Sequence, residues 1–233
     1  MTAQSCVVLV PYATHVEPAC ELALRELEAS GYEVRRYPST AAVDRTRCEM
    51  ATRALADGFS ELMWIDSDVV FEAESVTRLR KHELPLIAGL YAKKGVQSFA
   101  VQLEPDTTEL RVGETGGLFG ARYVGAGFLL VHRRVFDAVQ QLFSLPACNA
   151  QFGQPCVPYF LPMVVQDSGG KYVYLSEDFA FCERARQASY HLMLDTSIRL
   201  GHVGKYTYAW EDAGKATVRV AGATFLFGRD VKI

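Results

Sequence analysis

The sequence predicts an α/β protein: a single domain over residues 1–233, with a mixed, mostly parallel Rossmann-like central sheet flanked by helices and a small antiparallel extension. Two observations carry this. Apolar runs alternate with amphipathic helical stretches over the first ninety residues, the pattern of strands joined by crossover helices. After Ala92 the texture changes to short strands between glycine-rich turns. At 233 residues the chain is long enough to bury a substantial core.

Cys6 to Val10 is a β-branched apolar run stopped by Pro11, a buried strand. Pro18 suits a first helical position, Ala19, Leu22, Ala23 and Leu27 follow at helical spacing, and Gly31 closes the helix. Residues 32–37 alternate apolar and charged, a second strand. Asp44 is placed as the cap of a second helix, with Cys48, Ala51 and Leu55 on one face and Asp57-Gly58 as its stop. Residues 61–65 form a third strand that runs into Asp66-Ser67-Asp68, and a helix over about 72–82 leads to a fourth strand at 84–90. Further on, strands are expected at 99–103, 119–124, 128–132, 172–175 and 190–194, with 198–202 continuing the last. Helices are expected at 133–143 and 177–188. Residues 144–171 hold four prolines and show no period, so they read as a long loop of the kind that often serves as a lid.

Composition narrows the function classes. The chain is 49% hydrophobic and 22% charged, with net charge -3 and a pI near 6.0. No overall basic field draws nucleic acid or anionic membrane. No apolar run is long enough for a transmembrane segment, and the opening M-T-A-Q-S lacks the basic and apolar parts of a secretory signal. The six cysteines are scattered without C-x-x-C spacing, as expected of buried thiols in a reducing, cytoplasmic setting. Cys148 and Cys156 flank a Gly/Pro loop that would allow a bridge, but unbridged thiols are the expectation there too.

Four constellations bear on chemistry. Asp66 and Asp68 sit just past an apolar strand, where parallel sheets bind ligands, and two such carboxylates repel unless a cation joins them. Hard oxygen donors of this kind suit Mg2+ or Mn2+, with diphosphate oxygens completing the shell. Ser176-Glu177-Asp178 opens a helix, either as cap and dipole complement or as acids that orient a sugar hydroxyl and take its proton. His202, between Gly201 and Gly204, is either structural or an additional metal ligand. Arg45 and Arg47 beside Asp44 form either a solvated first turn or a phosphate fork with a base- or ribose-binding acid. Pro11, Tyr12 and Thr14, just after the first strand, are placed for a nucleobase.

Taken together these segments resemble the GT-A glycosyltransferase superfamily, nearest its family-2-like bacterial and viral members. The matching pieces are V-V-L-V-P-Y, D-R-T-R-C-E-M-A, L-M-W-I-D-S-D-V-V-F, Y-V-G-A-G-F-L-L-V-H-R-R-V-F, S-E-D-F-A-F-C-E-R-A-R and D-T-S-I-R-L-G-H-V-G, in the family's order over about residues 5–206. The resemblance implies that Asp66 and Asp68 are the D-x-D pair and that His202 completes the metal shell. It implies a nucleotide-sugar donor, UDP- or GDP-linked, held by Pro11, Tyr12, Thr14, Asp44, Arg45, Arg47 and Ser67. Gly125, Ala126 and Gly127 would lie beneath the donor sugar and acceptor. Glu177 and Asp178 would be the acidic pair acting on a glycan or other hydroxyl acceptor: in an inverting reaction Asp178 would be the base, and in a retaining one both would orient acceptor and donor. Residues 1–92 would form the nucleotide-binding half and 93–233 the acceptor half. Rival expectations are a nucleotidyltransferase, although Pro11-Tyr12-Ala13-Thr14 lacks the Gly-rich basic loop of those enzymes, and a non-catalytic carbohydrate-binding protein.

Overall fold

A computed structural model describes residues 3–39, 42–167, 169–204, 206–213, 217–220 and 223–227. In chain order its first elements are β1 (Cys6–Tyr12), α1 (Pro18–Ala29), β2 (Glu33–Pro38), α2 (Val43–Ala56), β3 (Glu61–Ile65), β4 (Val69–Val70), α3 (Glu74–Lys81) and β5 (Leu86–Leu90). Then come β6 (Val101–Leu103), β7 (Glu109–Val112), β8 (Leu118–Val124), β9 (Phe128–His132), α4 (Arg133–Phe143), β10 (Met163–Gln166) and β11 (Tyr172–Leu175). The last are α5 (Glu177–Gln187), β12 (Leu192–Arg199), β13 (Gly201–Val203), β14 (Thr207–Tyr208), β15 (Thr217–Val220) and β16 (Ala223–Phe227).

Eight strands make the central sheet, in the order β2-β1-β3-β9-β5-β12-β8-β6. β8 and β9 run against the other six, so the sheet is mixed and mostly parallel, as expected. The opening strands differ in one respect from a simple parallel run: β9 inserts between β3 and β5 and pairs antiparallel with both. The strands at 101–103, 118–124 and 128–132 therefore complete the main sheet. The small antiparallel pieces are instead the β10–β11 hairpin and the three-stranded β14-β13-β4.

Burial on both faces explains why the central strands read as continuous apolar runs. Along β3, Leu62 and Trp64 pack on one side with α2, α4 and α5, while Met63 and Ile65 pack on the other with α1 and α3. Pro11 sits in β1 beyond Leu9, the last residue paired to β3, so its missing N–H breaks no bond on that side. The strand consequently runs on to Tyr12 rather than stopping.

Three local expectations change. α2 starts at Val43 with Ala42 before it and no side-chain cap, so Asp44 lies in the first turn, where its charge suits the helix dipole. Ser176 makes no side-chain cap to α5; its hydroxyl donates to Asp178 Oδ1 at 2.9 Å. The expected 144–171 loop is anchored at its described residues 157 and 160. Val157 N–H donates to Thr52 Oγ1 (2.8 Å), and the fully buried Phe160 stacks on Phe181. Cys148 and Cys156 exchange two backbone hydrogen bonds, and their thiols are free, as are the other four.

One buried ion pair locks α3 to the sheet. Arg80 donates to Glu61 Oε2 from Nε (3.0 Å) and Nη2 (2.5 Å), and both side chains are 7% exposed. Removing one member strands the other's charge, whereas replacing both with apolar groups does not. Arg80→Met should therefore cost about 3 kcal/mol in urea unfolding, and Glu61→Leu/Arg80→Met should recover most of it.

Candidate active site

The site is built at the carboxyl end of β3, where the chain leaves the sheet as Asp66-Ser67-Asp68. Backbone bonds hold this turn on three sides. Asp66 N–H donates to the Gly127 carbonyl (3.0 Å), Val69 N–H to the Asp66 carbonyl (3.0 Å), and Glu17 N–H to the Ser67 carbonyl (2.8 Å). The two-residue β4 then pairs antiparallel with β13, matching Val69 with His202 and Val70 with Gly201, while Val203 N–H donates to the Asp68 carbonyl at 2.7 Å. This register brings together residues 134 positions apart in sequence: His202 Nε2 stands 3.4 Å from Asp68 Oδ1.

The other ring nitrogen fixes the imidazole. His202 Nδ1 lies 2.9 Å from the Ala92 carbonyl, an acceptor only, so Nδ1 carries the hydrogen. The Nε2 facing Asp68 then either holds a second proton or offers its lone pair to a cation shared with the carboxylate. The outer hydrogen bond to a backbone carbonyl is the usual orienting partner of a metal-binding histidine. Tyr91, just past β5, packs edge-on against the imidazole with ring centroids 5.2 Å apart.

Asp66 is committed elsewhere. Its Oδ1 accepts from Arg47 Nη2 at 2.7 Å. Arg47 is 4% exposed at its side chain and lies over the Trp64 ring, 5.6 Å from the centroid. Among the described residues, its Nε and Nη1 have no hydrogen-bond partner. Burial opposes its charge, but Asp66 and, more weakly, Glu177 and Asp178 outweigh this and raise its pKa. Arg47 is thus the buried counter-charge of three carboxylates rather than an open phosphate fork.

Asp68 is held below the ordinary carboxylate range: burial works to raise its pKa, and hydrogen bonds from His202 and Lys94 overcome that. Lys94 Nζ pairs with Asp68 Oδ2. Glu177 moves the other way, raised by burial and then by the neighbouring Asp178 charge, against the pull of Arg47. Asp178 Oδ1 is occupied by the Ser176 hydroxyl and the Phe179 N–H (2.8 Å). Tyr91 is raised well above its usual value by burial, then by Asp66 and Asp178, so it stays a neutral phenol.

Tyr91, Lys94, Gly125, Asp178 and His202 line one cleft of about 430 Å3, and Asp68 contacts two of these walls, Lys94 and His202. The structure therefore gathers Asp68, His202, Asp178, Gly125 and, behind them, Asp66, Arg47 and Glu177. Of the other expected residues, Ser67 and Gly127 take part in the backbone bonds of the turn, and the rest have different partners. Pro11 and Tyr12 end β1 beside Tyr37 and Pro38, and exposed Thr14 bonds His15. Asp44 is half-buried in α2, and Arg45 pairs with Glu49 at 2.8 Å.

The Gly125-Ala126-Gly127 turn makes room for protein groups. A β-carbon at Gly125 would strike the Tyr91 hydroxyl, and one at Gly127 would lie 2.7 Å from that oxygen and 2.9 Å from Asp66 Oδ2. Gly127 N–H donates to Tyr91 Oη at 3.2 Å. Tyr91 and Lys94 were not singled out from sequence; their signal is position, directly beyond the carboxyl end of β5.

Two donors, Asp68 and His202, face each other here, and among the described residues no three His, Cys, Asp or Glu groups gather as a closed metal cage. Such a pair fits a divalent ion that takes its remaining ligands from substrate oxygens, the usual arrangement for Mg2+ with phosphates.

No family model and no curated protein matches the chain. Among solved structures it is similar to A197 from STIV, at 14% identity and TM-score 0.55, covering 91% of this chain and 92% of that one. It also aligns with GalNAc-T7 bound to UDP, GalNAc and Mn2+ (10% identity, TM-score 0.45, 88% of this chain and 44% of that one). A further alignment is with a CMP:2-keto-3-deoxy-manno-octonic acid synthetase complexed with CTP (11%, 0.39, 82% and 89%). The chain shares its fold with A197 from STIV, and the α/β class and mostly parallel sheet expected from its motifs are those observed. At these identities the likeness is one of fold.

Two predictions follow from the packing and charges of this site. Gly125→Ala should lower stability by about 2 kcal/mol, and adding Tyr91→Phe should relieve it. Gly127→Ala should stay impaired in the Tyr91→Phe background, because Asp66 still blocks the space; urea unfolding reads all four variants. A carboxyl raised by folding weakens the fold above its native pKa and leaves it unaffected below the unfolded value. Glu177→Gln should thus raise the melting temperature at about pH 8, with the gain fading as pH falls towards 4.5.

Proposed function

We propose that this protein is a metal-dependent glycosyltransferase that moves a sugar from a UDP- or GDP-linked donor to a glycan or other hydroxyl acceptor. One observation carries the proposal. The β4–β13 register sets the Asp68 carboxylate against His202 Nε2, beside a cleft that also holds Asp178. An acid–imidazole pair for a cation and a separate acid for a proton are the two parts that glycosyl transfer needs.

Asp68 and His202 would hold Mn2+ or Mg2+, with Asp66 beside them fixed by Arg47. When bound, the ion neutralises charge developing on the departing nucleoside diphosphate. In the 1–92 half, Pro11, Tyr12, Thr14, Asp44, Arg45 and Ser67 are assigned to the nucleotide. In the 93–233 half, Gly125, Ala126 and Gly127 border the donor sugar and acceptor. Asp178 Oδ2 takes the acceptor hydroxyl proton as the hydroxyl oxygen attacks the anomeric carbon; Oδ1 is held by Ser176 and Phe179. Glu177, raised in pKa, orients sugar hydroxyls and shares the counter-charge of Arg47.

Manganese with UDP or GDP should raise the melting temperature, and Asp68→Ala should abolish that shift; an equal shift in the variant contradicts the metal assignment. Asp178→Asn should keep the shift and lose at least about a hundredfold in transfer rate. Screening nucleotide-sugars with Mn2+ by thermal shift, followed by NMR of the product, provides the readout. Undiminished turnover in Asp178→Asn removes it as base.

A further inference from the structure

Asp68 has two oxygens and two partners from different parts of the chain. His202 Nε2 faces Oδ1 and the Lys94 ammonium sits on Oδ2. Lys94 belongs to the turn that follows β5, which is closed by an Ala92–Phe99 bridge and a Lys93 N–H to Ser98 carbonyl bond of 2.8 Å. Its stem runs past Gly204, where a β-carbon would lie 3.2 Å from Lys94 Cδ and 2.8 Å from the Tyr208 ring. A larger residue at 204 would crowd the lane that the lysine uses. The Lys94 side chain is 35% exposed, so its ammonium reaches water by rotating a flexible stem, without unfolding anything.

Resting on the metal-site reading above, we propose that Lys94 is a resident counter-cation of Asp68. It holds the carboxylate and draws the 92–99 turn onto the cleft when no divalent ion is bound, and it competes with that ion for the same carboxylate. The physical basis is charge. Asp66 and Asp68 lie two residues apart, and a carboxylate beside another needs a positive partner. Arg47 serves Asp66, and Lys94 serves Asp68. Arg47 is enclosed and cannot leave, whereas Lys94 is tethered at the rim and can. A diphosphate arriving with the ion gives the released ammonium a new anion, so ion and diphosphate favour each other's binding. Lys94 would thereby keep the site from taking up free divalent ions in the absence of donor.

Manganese titration of the full chain, read by electron paramagnetic resonance of the free ion, tests this without any turnover. Wild type is compared with Lys94→Met and with Lys93→Met, which removes the same charge from the same cleft but not from Asp68. Without phosphate, Lys94→Met should bind Mn2+ about tenfold more tightly than wild type, with Lys93→Met close to wild type. With saturating inorganic pyrophosphate the gap should close. Equal affinity of wild type and Lys94→Met, or an equal gain in Lys93→Met, overturns the role of Lys94 and leaves the metal site standing. If neither wild type nor Lys94→Met binds Mn2+ with or without pyrophosphate, both the role and the metal site fall.

Discussion

A guanidinium enclosed to 4% exposure needs a fixed anion, and Arg47 meets that need through Asp66 at 2.7 Å. Much of the site hangs on this contact. It pins the first acid of the D-S-D turn to α2, and the Trp64 ring beneath supports the guanidinium from the sheet. With Asp66 held by Arg47, Asp68 is the acid that meets His202 and Lys94. The same positive charge also acts on Glu177 and Asp178 at the start of α5, so three carboxylates from two separate segments share one counter-charge. Buried pairs of this kind contribute little net stability but hold a specific arrangement.

The sheet supplies the geometry around that contact. Inserting antiparallel β9 between β3 and β5 puts the Gly125-Ala126-Gly127 turn beside the end of β3, where Gly127 receives the Asp66 N–H and approaches Tyr91. Tyr91 in turn supports the His202 ring, and Ala92 orients it through Nδ1. Residues just beyond the ends of β3 and β5 and just before β9 therefore meet His202 of β13 at one rim. The strands anchor these short turns, which favours a site that is formed before ligand arrives.

Much of this was legible in the chain. The run Leu62-Met63-Trp64-Ile65 ahead of Asp66 marks a strand buried on both faces, and the helix at 133–143 was read with its observed bounds. The glycines around His202 marked a close approach, and β13 makes one to β4. Strand order was not legible, because local periodicity carries no record of neighbours; nothing in Phe128–His132 says that it enters the middle of the sheet. The burial of Arg47 was hidden as well. Its place in a first helical turn with Asp44 and Arg45 suggested solvent, and only the packing of α2 over Trp64 encloses it. Tyr91 and Lys94 belong to no motif and acquire meaning once β5 is seen to end at the cleft.

The position of a bound divalent ion decides between a metal site at Asp68 and none. Crystals soaked with Mn2+ and UDP, measured for manganese anomalous scattering, locate the ion independently of any activity. The predicted result is one peak bridging the Asp68 carboxylate and His202 Nε2, touching diphosphate oxygens and on the cleft side of Asp66. Diphosphate bound with no ion at Asp68, or a peak held by other residues, would contradict it.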